Sequence, residues 1–172
     1  MEETGIIRRL DALGRIVIPR EFRKLNRIEV GDPLEMRAFK NGEIVLRKVD
    51  VSAKLKSIGE MAIETLSMQT SLAVAICSGE KWLCAGSHAK TLAGGNLSDK
   101  MKREVEKGGK AVLSCEQMGI NLPFHSAFVF PVIGENGVYG ALVAFKNEAL
   151  TDTEAALASN ATFFTAKSIQ NF

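Results

Sequence analysis

Pro19 constrains this chain more than any other single residue. Its ring fixes φ and removes a backbone donor, so it cannot extend a strand ladder, yet it can open a helix at its first turn. Before it stands the β-branched run Arg15-Ile16-Val17-Ile18. After it, residues 20–27 fit a short helix with Phe22 and Leu25 facing inward and Glu21 near the positive N-terminal end. Upstream, Ile6, Arg8 and Leu10 alternate with Ile7, Arg9 and Asp11. Residues 5–19 therefore predict two short strands around a turn supplied by Gly14. Val30-Gly31-Asp32-Pro33 predicts a second turn. The runs 34–40 and 43–49 flank Asn41-Gly42, a strong hairpin signal because both residues tolerate positive φ. The first 50 residues thus predict the order β-β-α-β-β.

A unit of that size made of short strands buries little apolar area and is marginal alone. Disulfides or a structural metal could compensate. The three cysteines, Cys77, Cys84 and Cys115, all lie beyond it, and no C-x-x-C pair occurs. Association remains, so residues 1–50 are expected to form an obligate dimer in which hairpins from two chains build one core. The same stretch carries a hidden charge island. Residues 8–27 hold seven basic side chains against two acidic ones, a net of +5 within a chain whose total is +2. Residues 51–172 are neutral, with 11 charges of each sign.

Residues 52–69 predict a helix that Ser52 can cap, with Leu55, Ile58, Met61, Ala62 and Leu66 as its apolar stripe. The stripe fits either a coiled-coil-like seam or one side of a domain core. Strands are predicted at 73–78, 82–85, 111–115, 126–133 and 138–146, and a helix at 98–108 that Ser98 can cap and Gly108-Gly109 stops. Residues 134–137, Gly-Glu-Asn-Gly, join the two longest strands as a hairpin. Thr151 and Glu154 have the capping-box spacing, opening a last helix that runs to about residue 170. An antiparallel sheet flanked by the first and last of these helices is the economical arrangement.

Several function classes find little support. No apolar run reaches the roughly 18 residues of a membrane span, and the acidic start Met1-Glu2-Glu3 lacks the apolar region of a secretory signal, so a cytoplasmic location is expected. No metal-ligand spacing and no cofactor motif is present; Gly94-Gly95 lacks the context of a phosphate loop. A thiol nucleophile pairing one of the cysteines with His88 or His125 has no spacing to recommend it, and a non-enzymatic protein is expected.

The string from Thr4 through Leu10-Asp11-Ala12-Leu13-Gly14-Arg15 to Pro19-Arg20-Glu21, continued by Arg27-Ile28 and Gly31-Asp32-Pro33-Leu34-Glu35, resembles the AbrB-type transition-state regulators. Asn26 stands where that family usually has a leucine, so the helix is expected either to end a little early or to rotate slightly, with Asn26 able to cap it and the orientation of Arg27 open. The resemblance implies an α+β protein with a swapped-hairpin, dimeric β-barrel domain at 1–50. A connecting helix at 51–69 and a GAF-like domain with a central antiparallel sheet at 70–172 would follow. It implies a double-stranded-DNA-binding regulator of stationary-phase or sporulation genes that tolerates varied sequences, associated with the nucleoid and not with a membrane.

The basic positions matching the family's DNA contacts are Arg8, Arg15, Arg23 and Lys24, with Arg9 and Arg20 as further phosphate contacts. GAF-like domains commonly hold a small molecule, and Trp82, His88, Asn96, Cys115, Asn121 and His125 are the candidate pocket residues for an effector of unknown identity. Helix 52–69 would be the lever linking the domains. Two alternatives stay open: a C-terminal domain that only oligomerises, giving a tetramer through its helices, and an N-terminal module that binds a protein partner as antitoxins do. The folded C-terminal half, in place of a disordered tail, weighs against the second.

Overall fold

The computed structural model describes residues 5–135 and 137–170. The chain divides into two compact units, Met1–Val49 and Asp50–Phe172.

In the first unit, Pro19 is the N-cap of helix α1, Arg20–Leu25. The helix ends early, as the Asn26 substitution suggests. Asn26 is the C-cap, and Arg27 takes the left-handed conformation at φ 51°. The Ile28 N–H donates to the Arg23 carbonyl (2.7 Å) and the Arg27 N–H to the Lys24 carbonyl (3.1 Å), a Schellman closure with arginine where glycine is usual. Strands β1, Leu34–Ala38, and β2, Ile44–Lys48, form the expected antiparallel hairpin. Its turn differs from the two-residue form in which both Asn41 and Gly42 take positive φ. Only Gly42 does so, at φ 88°. The Gly42 N–H donates to the Phe39 carbonyl and the Phe39 N–H to the Glu43 carbonyl, the pattern of a three-residue loop with a bulge at glycine.

Two expectations for this unit fail within the single chain. Residues 5–11 and 15–19 carry no strand ladder, so the described order is α-β-β. Alternation fixes which side chains share a face, but a ladder also needs the hydrogen bonds of a paired backbone, and here the Asp11 N–H to the Arg15 carbonyl at 3.0 Å does not extend into one. Leu25, expected to face inward, is 77% exposed. Indeed none of residues 5–49 is buried, and Ile6, Ile7, Leu10, Leu13, Ile16 and Val17 all face solvent.

The second unit is built on a five-stranded, wholly antiparallel sheet of order β4-β3-β7-β6-β5. The strands are β3 Ala73–Ser78, β4 Lys81–Ala85, β5 Ala111–Ser114, β6 Ser126–Gly134 and β7 Gly137–Lys146. Both faces are covered, which is why β3 reads as a continuous apolar run. Val74 and Ile76 point to one core with Phe128, Phe130, Val132 and Leu142; Ala73, Ala75 and Cys77 point to the other.

Helices α2, Val51–Gln69, and α4, Asp152–Gln170, cover the first face. Helix α3, Asp99–Glu106, and a 3-10 turn at Ser87–Leu92 cover the second. Helix α2 is capped by Asp50, whose carboxylate accepts from the Ala53 N–H at 2.9 Å, rather than by Ser52. Its buried positions are Leu55, Gly59, Ile63 and Leu66, so the stripe expected from sequence is rotated and Met61 lies exposed. Of the expected stripe, Leu55 and Leu66 form one side of the domain core. Ser98 caps α3, accepting from the Met101 N–H. The Thr151–Glu154 box closes as expected: the Thr151 N–H donates to Glu154 Oε2 at 2.8 Å and the Glu154 N–H to Thr151 Oγ1 at 3.2 Å. No described helix is long and apolar enough to cross a membrane.

Candidate nucleic-acid interface

The basic island is displayed by two short pieces of chain, the loop around Gly14 and helix α1. Arg8, Arg9, Arg15, Arg20 and Lys24 are exposed, and Arg23 is half-buried. Arg23 and Lys24 sit in the last turn of α1, where the helix dipole favours cations. Among the described residues, Arg15 alone of the six has an ion-pair partner. Its Nε donates to Asp11 Oδ2 at 2.7 Å, while the side chain remains 71% exposed. The loop is closed on itself. Asp11 Oδ1 accepts from the N–H groups of Leu13 (2.9 Å) and Arg15 (2.8 Å), and Gly14 supplies the left-handed residue at φ 73°. The Arg15 backbone N–H, and then its guanidinium, hold the Asp11 carboxyl below its ordinary pKa.

Residues that the sequence reading passed over brace this surface. Lys48 Nζ reaches from β2 to the Asp32 carboxylate (2.7 Å) and to the Arg27 carbonyl (2.8 Å), tying the end of α1 to the hairpin. Asp32 is held below its ordinary pKa by the Lys48 ammonium and the Glu29 N–H. Gly14 marks the turn in the sequence, and the four-residue spacing of Asp11 and Arg15 around it is the signal for their contact.

The six candidate effector residues do not gather around one cavity. Trp82 and Cys115 are buried in the second core, Trp82 tilted against Phe145 at 6.1 Å between ring centroids. His88, Asn96, Asn121 and His125 are exposed. Asn96 meets the sheet edge through a bridge to Lys81, and the His125 carbonyl accepts from the Cys115 N–H at 2.9 Å. These backbone contacts bring pairs together without lining a binding space.

A different feature was invisible to a residue-by-residue search. Along α2 and α4 runs an open, largely apolar groove of about 390 Å³, lined by residues that include Ile58, Met61, Leu157, Ala161 and Phe164. The cysteines are poor nucleophiles. Burial pushes the Cys77 thiol up to about 12, burial and then the nearby Glu60 push Cys84 to about 11, and burial raises Cys115. Among the described residues, no group of three or more His, Cys, Asp or Glu is placed to hold a metal ion.

Comparison with known proteins bears on both units. The family described as Antidote-toxin recognition MazE, bacterial antitoxin, matches residues 7–54. The Transition state regulatory protein AbrB of Bacillus subtilis (strain 168) is 35% identical over 68 residues, 40% of this chain and 70% of AbrB. The chain belongs to the AbrB family. The similarity to another protein is longer: Stage V sporulation protein T of the same organism is 29% identical over 177 residues, covering 99% of both chains. The GAF domain of Thermosynechococcus elongatus PixJ in its blue-light absorbing form superposes with a TM-score of 0.58 at 11% identity. That match covers 72% of this chain and 89% of that one, and it shows the GAF fold expected beyond the AbrB-type segment.

Proposed function

We propose that this AbrB-family protein is a transcription regulator that binds double-stranded DNA as a dimer through residues 1–50. Its GAF-fold half would oligomerise the chain through the α2–α4 groove and answer to a small-molecule effector. The observation that carries the reading is the first unit's composition. It exposes its basic island and its apolar residues together, with none of residues 5–49 buried. Ordering each residue costs about 1–2 kcal/mol of backbone entropy, and apolar burial is what normally offsets it. A second copy, pairing with the ladder-free segments at 5–11 and 15–19, supplies both the missing strands and the missing core.

Such a dimer presents two copies of Arg8, Arg9, Arg15, Arg20, Arg23 and Lys24. Cations in that number favour phosphate-dominated, sequence-tolerant binding with shape readout. The similarity to the Transition state regulatory protein AbrB and to Stage V sporulation protein T supports stationary-phase or sporulation genes as the proposed targets, with the proposed regulator acting on the nucleoid. An effector that reached Trp82 or Cys115 would have to open the packed core around them, which would couple its binding to a shift between populated states. The match of residues 7–54 to an antitoxin family favours a second reading, in which this unit binds a protein partner. The near-complete match to Stage V sporulation protein T favours the first.

Titration of a fluorescent duplex with the full chain over a series of salt concentrations, beside sedimentation, tests the proposal. We expect a dimer or larger, an affinity that falls steeply with salt, and a severe loss in Arg15→Ala with the dimer intact. A monomer, or an Arg15→Ala affinity unchanged at moderate salt, would overturn it. An intact dimer without duplex binding would favour the partner-binding reading.

A further inference from the structure

We infer that Asp11 is a positioning residue for DNA recognition, holding the Arg15 guanidinium so that its two terminal amino groups face an acceptor pair on the duplex. This rests on the DNA-binding reading above. An acidic residue inside a DNA-binding surface is ordinarily unfavourable, because its charge repels phosphate. Asp11 is placed where that cost is offset by geometry. One carboxylate oxygen, Oδ1, is spent on the loop, accepting from the Leu13 and Arg15 N–H groups. The other, Oδ2, is spent on Arg15 Nε.

The contact through Nε matters. An arginine held there, and still 71% exposed, presents its end-on fork of amino groups outward. That fork matches two adjacent acceptors, whether guanine O6 and N7 or two phosphate oxygens. A free arginine must give up rotamer freedom when it binds, and one already held loses less. The loop holds the backbone as well: the Asp11 N–H donates to the Arg15 carbonyl and the Gly14 N–H to the Asp11 carbonyl, both at 3.0 Å. The fork is therefore set relative to the chain at both its root and its Nε.

Asp11→Asn isolates this role. The asparagine carbonyl can still accept the two backbone N–H groups at Oδ1, so the turn is kept. Its amide nitrogen replaces Oδ2 and cannot accept from Arg15 Nε. Charge alone makes the opposite forecast, since removing a carboxylate from each chain should tighten binding to a polyanion.

The test is duplex affinity of the full chain as wild type, Asp11→Asn, Arg15→Lys and the double variant, with thermal melting to confirm the fold. Each is measured on a natural duplex, on one with 7-deazaguanine, which lacks N7, and on one with methylphosphonate linkages. We expect Asp11→Asn to weaken binding about tenfold, the scale of one bidentate contact. The double variant should lose no more than Arg15→Lys, because Asp11 acts through the fork. If the acceptors are guanine atoms, 7-deazaguanine costs the wild type more than it costs Arg15→Lys; if they are phosphate oxygens, that difference between wild type and Arg15→Lys appears on the methylphosphonate duplex instead. Equal or tighter binding by Asp11→Asn, or losses that add in the double variant, would overturn the inference. A wild type that binds no duplex would instead overturn the DNA-binding reading, and this inference with it. Should Asp11→Asn melt early, Arg15→Lys carries the test: it keeps the charge and the turn, so affinity equal to wild type rules out the fork.

Discussion

Replacing Gly140 with alanine places a methyl group between the central strand of the sheet, β7, and its neighbour β3. It would overlap the Cys77 carbonyl oxygen, lie 3.2 Å from the Cys77 carbonyl carbon and 2.7 Å from Leu55 Cδ2. Unstrained heavy-atom contacts sit near about 3.5 Å. Leu55 is wholly buried, so its side chain has little room to turn away, and the carbonyl can give only by moving β3. Neither strand is free to shift, because β3 is paired on both sides by β4 and β7, and β7 on both sides by β3 and β6. Overpacking of a core costs about 1–3 kcal/mol, and an overlap with backbone belongs at the upper end. For a domain of this size, about 3 kcal/mol lowers Tm by roughly 10 °C.

The assay is built into the sequence. The chain has one tryptophan, Trp82, buried in the second unit, so its fluorescence on heating reports that unit's unfolding. Gly109→Ala is the control, since a Cβ there meets nothing within 4 Å. We expect Gly140→Ala to melt about 10 °C early and Gly109→Ala to stay close to wild type. A Gly140→Ala protein melting within about 2 °C of wild type would refute the close approach of β3 and β7.

The charged staple at the start of α4 should be pH-dependent. The Lys146 ammonium first, and then the Thr151 N–H, hold the Glu154 carboxyl below its ordinary 4.5, so its stabilisation is present above that value and lost as pH falls through the lowered one. Glu154→Gln should therefore melt below wild type at neutral pH, with the gap closing in acid; a gap constant with pH would count against the pairing. Arg27→Gly relieves a left-handed arginine, a strain of about 1 kcal/mol, partly offset by the greater chain entropy of glycine. A small rise in the denaturation midpoint of the first unit is expected, and Arg27→Ala, which keeps the strain, should show none.

What the sequence determined by itself is what backbone chemistry decides within a few residues. Pro19 starts α1 and Asn26 ends it because a missing N–H and a capping geometry act locally. Thr151 and Glu154 close their box for the same reason, and Gly42 makes a turn whichever loop form is adopted. The charge island needs no fold to be counted.

The tertiary structure decided whatever depends on a distant neighbour. It chose Asp50 over Ser52 as the cap of α2 and turned Met61 outward, since a helix rotates to suit the sheet it packs on. It buried Trp82 and Cys115 in one core while leaving His88, Asn96, Asn121 and His125 at the surface, because polar residues near one another in sequence share a pocket only if the packing leaves a space. It left residues 5–11 and 15–19 without a ladder, since alternation specifies a strand's faces but its hydrogen bonds come from another strand. And it brought Asp11 onto Arg15, turning what a charge count treats as a subtraction into a contact that orients a cation.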